Sequence, residues 1–155
     1  MLFDVNEDTN DEYSVVSMID NMLNRTQHLN KEELSNYITV IINSRELVFE
    51  EDGFGTPYIN KRGKIMIPLR KSLEAIGADV KFDDSGYIVI VEKDGITVHI
   101  SIGEKKLYVN GKNVKTDTEA ILKDNRIYIP LRTIFEAFGY DIDWHNNSNT
   151  VILTN

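Results

Sequence analysis

Ile65-Met66-Ile67-Pro68-Leu69-Arg70 and Ile127-Tyr128-Ile129-Pro130-Leu131-Arg132 stand 62 residues apart, and their likeness decides how the chain folds. Laid over one another without a gap, residues 62–93 and 124–155 stay in register well beyond the hexapeptide. Glu74-Ala75 falls on Glu136-Ala137, Gly77 on Gly139, Asp79-Val80 on Asp141-Ile142, Phe82 on Trp144, and Val89-Ile90 on Val151-Ile152. Self-similarity of this length marks an internal repeat of one supersecondary unit.

Each copy has a physical reading. An alternating strand ends at a proline, whose missing N–H and fixed φ suit the first helical position, and a glycine then supplies a left-handed cap. This predicts a helix of roughly nine residues between Pro68 and Gly77, and again between Pro130 and Gly139. Leu69, Leu73 and Ile76, and in the second copy Leu131, Phe135 and Phe138, fall at i, i+4, i+7 on one face. So short a helix is unstable alone and must pack on a sheet. Arg70 with Glu74, and Arg132 with Glu136, are i,i+4 neighbours, a pairing that contributes only a few tenths of a kcal/mol when exposed.

Outside the repeat, period-two alternation marks further half-buried strands: Ile38/Val40/Ile42, Ile96/Val98/Ile100/Ile102 and Leu107/Val109. Asn110-Gly111 between Tyr108-Val109 and Lys112-Asn113-Val114 is a type I′ hairpin signal, since both central positions of that turn need positive φ. Gly53, Gly55 and Pro57 punctuate a stretch after Leu47-Val48-Phe49. Near the start, Asp4, Glu7, Asp8, Asp11 and Glu12 form an acidic arm without Lys or Arg, and Val15, Val16, Met18, Ile19, Met22 and Leu23 recur at helical spacing over 12–25. Asn30 and Glu33 read as a capping box. The expected organisation is an arm and amphipathic helix over 1–37, one unit over 38–93 and a second over 94–155. The fold class is α+β and β-rich: two antiparallel curled sheets, each packing a short helix, with an N-terminal helical extension.

Composition narrows the function. A 155-residue chain buries roughly 70% of its unfolded surface. No apolar run approaches the roughly 20 residues of a membrane helix. A net charge of -8 repels phosphate backbones and anionic lipid, so neither nucleic acid nor membrane is an expected partner. The absence of cysteine excludes disulfides, thiolate metal sites and cysteine nucleophiles. The start at Met1 carries no basic and apolar signal-peptide pattern, which leads to the expectation that the chain stays where it is made or leaves by another route.

The order strand, Ile-Pro-Leu-Arg, Glu-Ala-hydrophobic-Gly, acidic-Val/Ile, aromatic, Thr-Val-Ile-like strand resembles the copper amine oxidase N-terminal domain-like family, the stalk domains, over about 38–155. The Val109-Asn110-Gly111-Lys112 hairpin belongs to the same resemblance. It implies a sheet curled around a short helix, used in bacterial surface and secreted proteins. It also implies a projecting stalk, with copper and topaquinone chemistry housed in a separate catalytic domain.

The residues offer little to catalysis. His28, His99 and His145 are far apart and form no His-x-His pair of the kind a copper site would use. Asn36-Tyr37 echoes a topaquinone precursor, but Ile38 follows where an acidic residue is expected. Asp83-Asp84-Ser85-Gly86 and Asp141/Asp143 could suggest calcium, without EF-hand spacing. No nucleophile elbow supports a hydrolase triad, and Gly53-Phe54-Gly55 precedes Thr56-Pro57 instead of a helix. Arg70 and Arg132 are candidates for binding a carboxylate or saccharide; recurrence at one place in both copies favours bracing of the helix. Phe82, Tyr140 and Trp144 could form a sugar-stacking platform, while the aromatic repeated at 82 and 144 points to core.

The expected function is therefore a non-catalytic structural or protein-interaction module of a bacterial surface or phage tail-like assembly. A cell-wall or polysaccharide-binding module is the alternative, and a metal-dependent amine oxidase fragment the third. Neither catalytic residues, nor a cofactor, nor a metal is expected. The structural motif comprises Pro68, Leu69, Arg70, Glu74, Gly77 and Phe82 with Pro130, Leu131, Arg132, Glu136, Gly139 and Trp144. Val15, Ile19, Met22 and Leu23 are the candidate contacts to protein partners or a second copy. The expected setting is a particle assembled in the cytoplasm, or the cell surface by resemblance.

Overall fold

A computed structural model describes residues 37–49 and 55–155. The acidic arm and the helix expected over 12–25, with Val15, Ile19, Met22 and Leu23, lie outside the described residues, as do Asn30, Glu33, Gly53 and Phe54. The chain runs through a first hairpin, β1 (Thr39–Ile42) and β2 (Arg45–Leu47), then β3 (Tyr58–Ile59) and β4 (Ile65–Pro68) into helix α1 (Leu69–Ala75). A meander follows: β5 (Asp79–Phe82), β6 (Ile88–Lys93), β7 (Ile96–Ser101), β8 (Lys106–Val109) and β9 (Lys112–Lys115). Next come β10 (Ile121–Lys123), β11 (Arg126–Pro130), helix α2 (Leu131–Ala137), β12 (Asp141–His145) and β13 (Thr150–Thr154).

The described strands form three sheets, ordered β12-β13-β1-β2, β10-β11-β4-β3 and β5-β6-β7-β8-β9. This corrects the expectation of two antiparallel sheets in two respects. There is a third sheet, and the first is mixed, because β1 lies parallel to β13 with Val40 opposite Val151. The reason is long-range pairing that no local pattern encodes: every sheet takes strands from both 38–93 and 94–155.

The two copies of the repeat nonetheless adopt the same local structure. Both helices occupy equivalent residues, and β5 pairs with β6 as β12 pairs with β13, Phe82 opposite Val89 and Trp144 opposite Val151. The copies meet through β4 and β11, antiparallel, with Ile67 opposite Ile129. Those are equivalent positions, so the copies are related by a local two-fold through that pair. In consequence α1 packs against β11 and α2 against β4, each helix touching the other copy's strand.

Each helix has seven residues, shorter than expected. Pro68 and Pro130 are also not the first helical residues. With ψ of 129° and 118° they remain extended, close the preceding strand and act as N-caps. The far ends follow expectation. Gly77 and Gly139 take φ of 81° and 87°, and the amides of Ala78 and Tyr140 reach back to the carbonyls of Leu73 and Phe135 at 3.0 Å, a Schellman closure.

One core holds both copies. Ile67, Leu69, Leu73, Val89 and Val91 bury with Ile129, Leu131, Phe135, Val151 and Leu153. The buried helix face is wider than the i, i+4, i+7 stripe. Ser72 and its equivalent Ile134 are both fully buried, and the Ser72 hydroxyl satisfies itself by donating to the Pro68 carbonyl at 2.6 Å. Two-residue turns set the hairpin registers. Asn110-Gly111 has φ of 51° and 84° as expected, and Asp94-Gly95, Asn43-Ser44 and Asp124-Asn125 do the same work.

Candidate functional site

The polar residues shared by both copies pair within their own helices. Arg70 donates to Glu74 at 2.9 Å and Arg132 to Glu136 at 3.2 Å, all four side chains standing in solvent. Exposed pairs of this kind contribute a fraction of a kcal/mol. The shared apolar residues, Leu69, Leu73, Leu131 and Phe135, are in the core.

The aromatic positions part company. Tyr140 is buried edge-on against Phe135, centroids 5.6 Å apart, and cannot join a surface platform. Phe82 is 42% exposed, which corrects the inference from repetition that it is core. The reason is geometric: β5 is an edge strand, and the Arg70 guanidinium covers the ring instead, 5.6 Å from its centroid. Trp144, its equivalent, is half-buried on β12 and donates its indole N–H to Asn146 Oδ1 at 3.0 Å.

Trp144 and Arg132 come together on a groove of about 640 Å³. One wall is apolar, from Ile59 and Ile65 of the β3–β4 hairpin and Ile142 and Trp144 of β12; the remainder is polar, with Lys64, Lys115, Asp117, Asn146 and Asn149. Lys64 and Asp117 form an ion pair at 2.8 Å, and the Arg62 guanidinium donates to the Asp117 carbonyl. The hydrogen bond from Lys64 holds the Asp117 carboxyl below its ordinary range. Lys64, Lys115, Asp117, Asn146 and Asn149 escaped the sequence reading because they come from three separate stretches and share no spacing.

A second cluster sits on the β10–β11–β4–β3 sheet. The Lys123 ammonium stands 4.0 Å from the centroid of Tyr58, which meets Tyr128 edge-on at 5.2 Å. Burial raises the Tyr58 hydroxyl above its ordinary value.

The remaining candidates are local. Asp83 Oδ1 accepts from the Ser85 amide at 3.0 Å and hydroxyl at 2.6 Å, so its carboxylate closes its own turn. The Ser85 hydroxyl is the main cause of its lowered pKa. His145 Nε2 lies 3.1 Å from Asp143 on the exposed side of β12, while His99 belongs to β7 in another sheet.

Comparison with known proteins follows this geometry. A family model described as the copper amine oxidase N-terminal domain matches residues 40–153. A primary amine oxidase of Klebsiella aerogenes is 32% identical over 78 residues, taking in 50% of this chain and 10% of that protein. The chain thus corresponds to a small part of that relative. Copper does not fit the described residues, among which no three of His, Cys, Asp and Glu are grouped to hold a metal ion.

Proposed function

Because the chain belongs to the copper amine oxidase N-terminal domain family, we propose that it is a non-catalytic structural and protein-interaction module, one component of a bacterial surface or phage tail-like assembly. A single observation carries this reading: the residues common to both copies are committed to architecture. Their arginines and glutamates pair along the helix, and their leucines, with Phe135 in the place of Leu73, fill the core. Partner contact falls to the amphipathic segment 12–25, through Val15, Ile19, Met22 and Leu23, with the units of 38–93 and 94–155 as the body it carries.

Two measurements test the proposal. The full chain, supplied with copper and a primary amine, releases no hydrogen peroxide; sustained release would refute a non-catalytic role. In light scattering the full chain self-associates, and Ile19→Asp with Leu23→Asp lowers its mass to that of one copy. A wild-type chain already of single-copy mass would remove self-association as the mode of contact.

The groove beside Trp144 favours a second reading, a cell-wall or polysaccharide-binding module, since an aromatic face among amides and charges is how proteins hold sugar rings.

A further inference from the structure

We propose that the groove between the β3–β4 hairpin and β12 binds a carboxylated saccharide, its ring against Trp144 and its carboxylate among Lys64, Lys115 and Arg132. This rests on the polysaccharide-binding reading and adds the charge class of the ligand.

The first support is a difference between the copies. In the first copy the arginine of the motif lies over the aromatic ring, Arg70 at 5.6 Å from the Phe82 centroid, and closes that face. In the second copy, among the described residues, no cation stands over Trp144; Arg132 is held by Glu136 at 3.2 Å, and the indole borders open space. The indole is fixed in orientation by its bond to Asn146. A fixed aromatic face beside open volume suits the apolar face of a sugar ring, and a preset orientation reduces the entropy lost on binding.

The second support is charge. The chain carries a net charge of -8, yet the groove gathers three cations, Lys64 paired with Asp117, Arg132 paired with Glu136, and Lys115 with no carboxylate partner among the described residues. Lys115 makes no ion pair among the described residues and stands at the end of β9, an edge strand, where its ammonium is free to meet an incoming carboxylate. A neutral sugar would leave the Lys115 ammonium uncompensated; an acidic one balances it with a charge-assisted hydrogen bond. The volume, about 640 Å³, is within the range of small-ligand sites.

Trp144 is the chain's only tryptophan, so emission excited beyond the tyrosine absorption band reports this groove alone. Titration of the full chain with trigalacturonic acid produces a saturable change in Trp144 emission that weakens with added salt, while neutral cellotriose at equal concentration produces none. Lys115→Ala, at an exposed position outside the core, weakens binding roughly tenfold, the scale of one charge-assisted hydrogen bond. Trp144→Leu, followed by calorimetry, abolishes it. No response to trigalacturonic acid or cellotriose overturns the inference together with the polysaccharide reading. An equal response to both sugars keeps that reading and overturns the charge class. A response to a tetraglutamate peptide but not to trigalacturonic acid overturns both in favour of a peptide site.

Discussion

Truncating Phe135 to alanine should lower the stability of the whole described structure, not of its own half. Phe135 is fully exposed to none of the solvent, at 0%, and holds Tyr140 edge-on at 5.6 Å. Removing a buried phenylalanine costs about 3–5 kcal/mol, and an aromatic pair accounts for roughly 0.5–1.5 kcal/mol beyond its area. For a chain of this size each kcal/mol moves Tm by roughly 2–4 °C, so the expected fall is roughly 6–20 °C. Leu73 occupies the equivalent position in the first copy and is equally buried. Leu73→Ala should cost about 2–5 kcal/mol. The strand pair β4–β11, the contacts of α1 with β11 and of α2 with β4, and the shared core couple the copies. Scanning calorimetry should therefore show one cooperative transition in the wild type, and each variant should move that same transition. Two transitions, with Leu73→Ala moving only one and Phe135→Ala only the other, would refute the interlocked arrangement.

Three further outcomes follow from local geometry. Gly139→Ala places a side chain at φ of 87° with open space around it, so the loss is purely conformational, about 1–2 kcal/mol by chemical denaturation; an unchanged midpoint would count against the Schellman closure. Ser44→Gly relieves a serine at φ of 70° in the β1–β2 turn and should raise Tm by a few degrees, whereas a drop would show that the serine side chain has a role there. Asp117 is held below its ordinary value of 3.8, first by its hydrogen bond from Lys64. Its ionised form is favoured by folding, so its contribution is fully present above that ordinary value and is lost as pH falls through the lowered native one. Asp117→Asn should flatten the acid limb of the stability profile without changing stability differences between pH 6 and 8; an unaltered acid limb would remove Asp117 from the account.

Legibility tracked the range of the interaction. Gly77 and Gly139 were readable because a left-handed cap is a one-residue requirement, and Asn110-Gly111 because a I′ turn is a two-residue one. Asp94-Gly95 carried the same signal and could have been read with it. Asn43-Ser44 and Asp124-Asn125 could not have been read so easily, since neither offers glycine at a position of positive φ. Phe82 was misread because a repeated aromatic shows that a site is equivalent, not that it is covered; its cover, Arg70, is a side chain on the helix before it. The groove was half legible. Arg132 and Trp144 stood out within one copy, whereas Lys64 reaches it from the β3–β4 turn and Lys115 from the end of β9, whose neighbours are fixed only in three dimensions.

By itself the sequence determined the repeated unit: where a strand stops at proline, that a short helix follows and closes at glycine, and the apolar stripe by which that helix faces inward, all of which depend on neighbours within a few positions. Tertiary structure alone decided that the two units interlock. The pairing of Ile67 with Ile129, the parallel seating of β1 on β13, and the opening of a groove at Trp144 depend on which buried surfaces meet across more than 60 residues of chain, and hydrophobic patterning is blind to the identity of the partner it buries against.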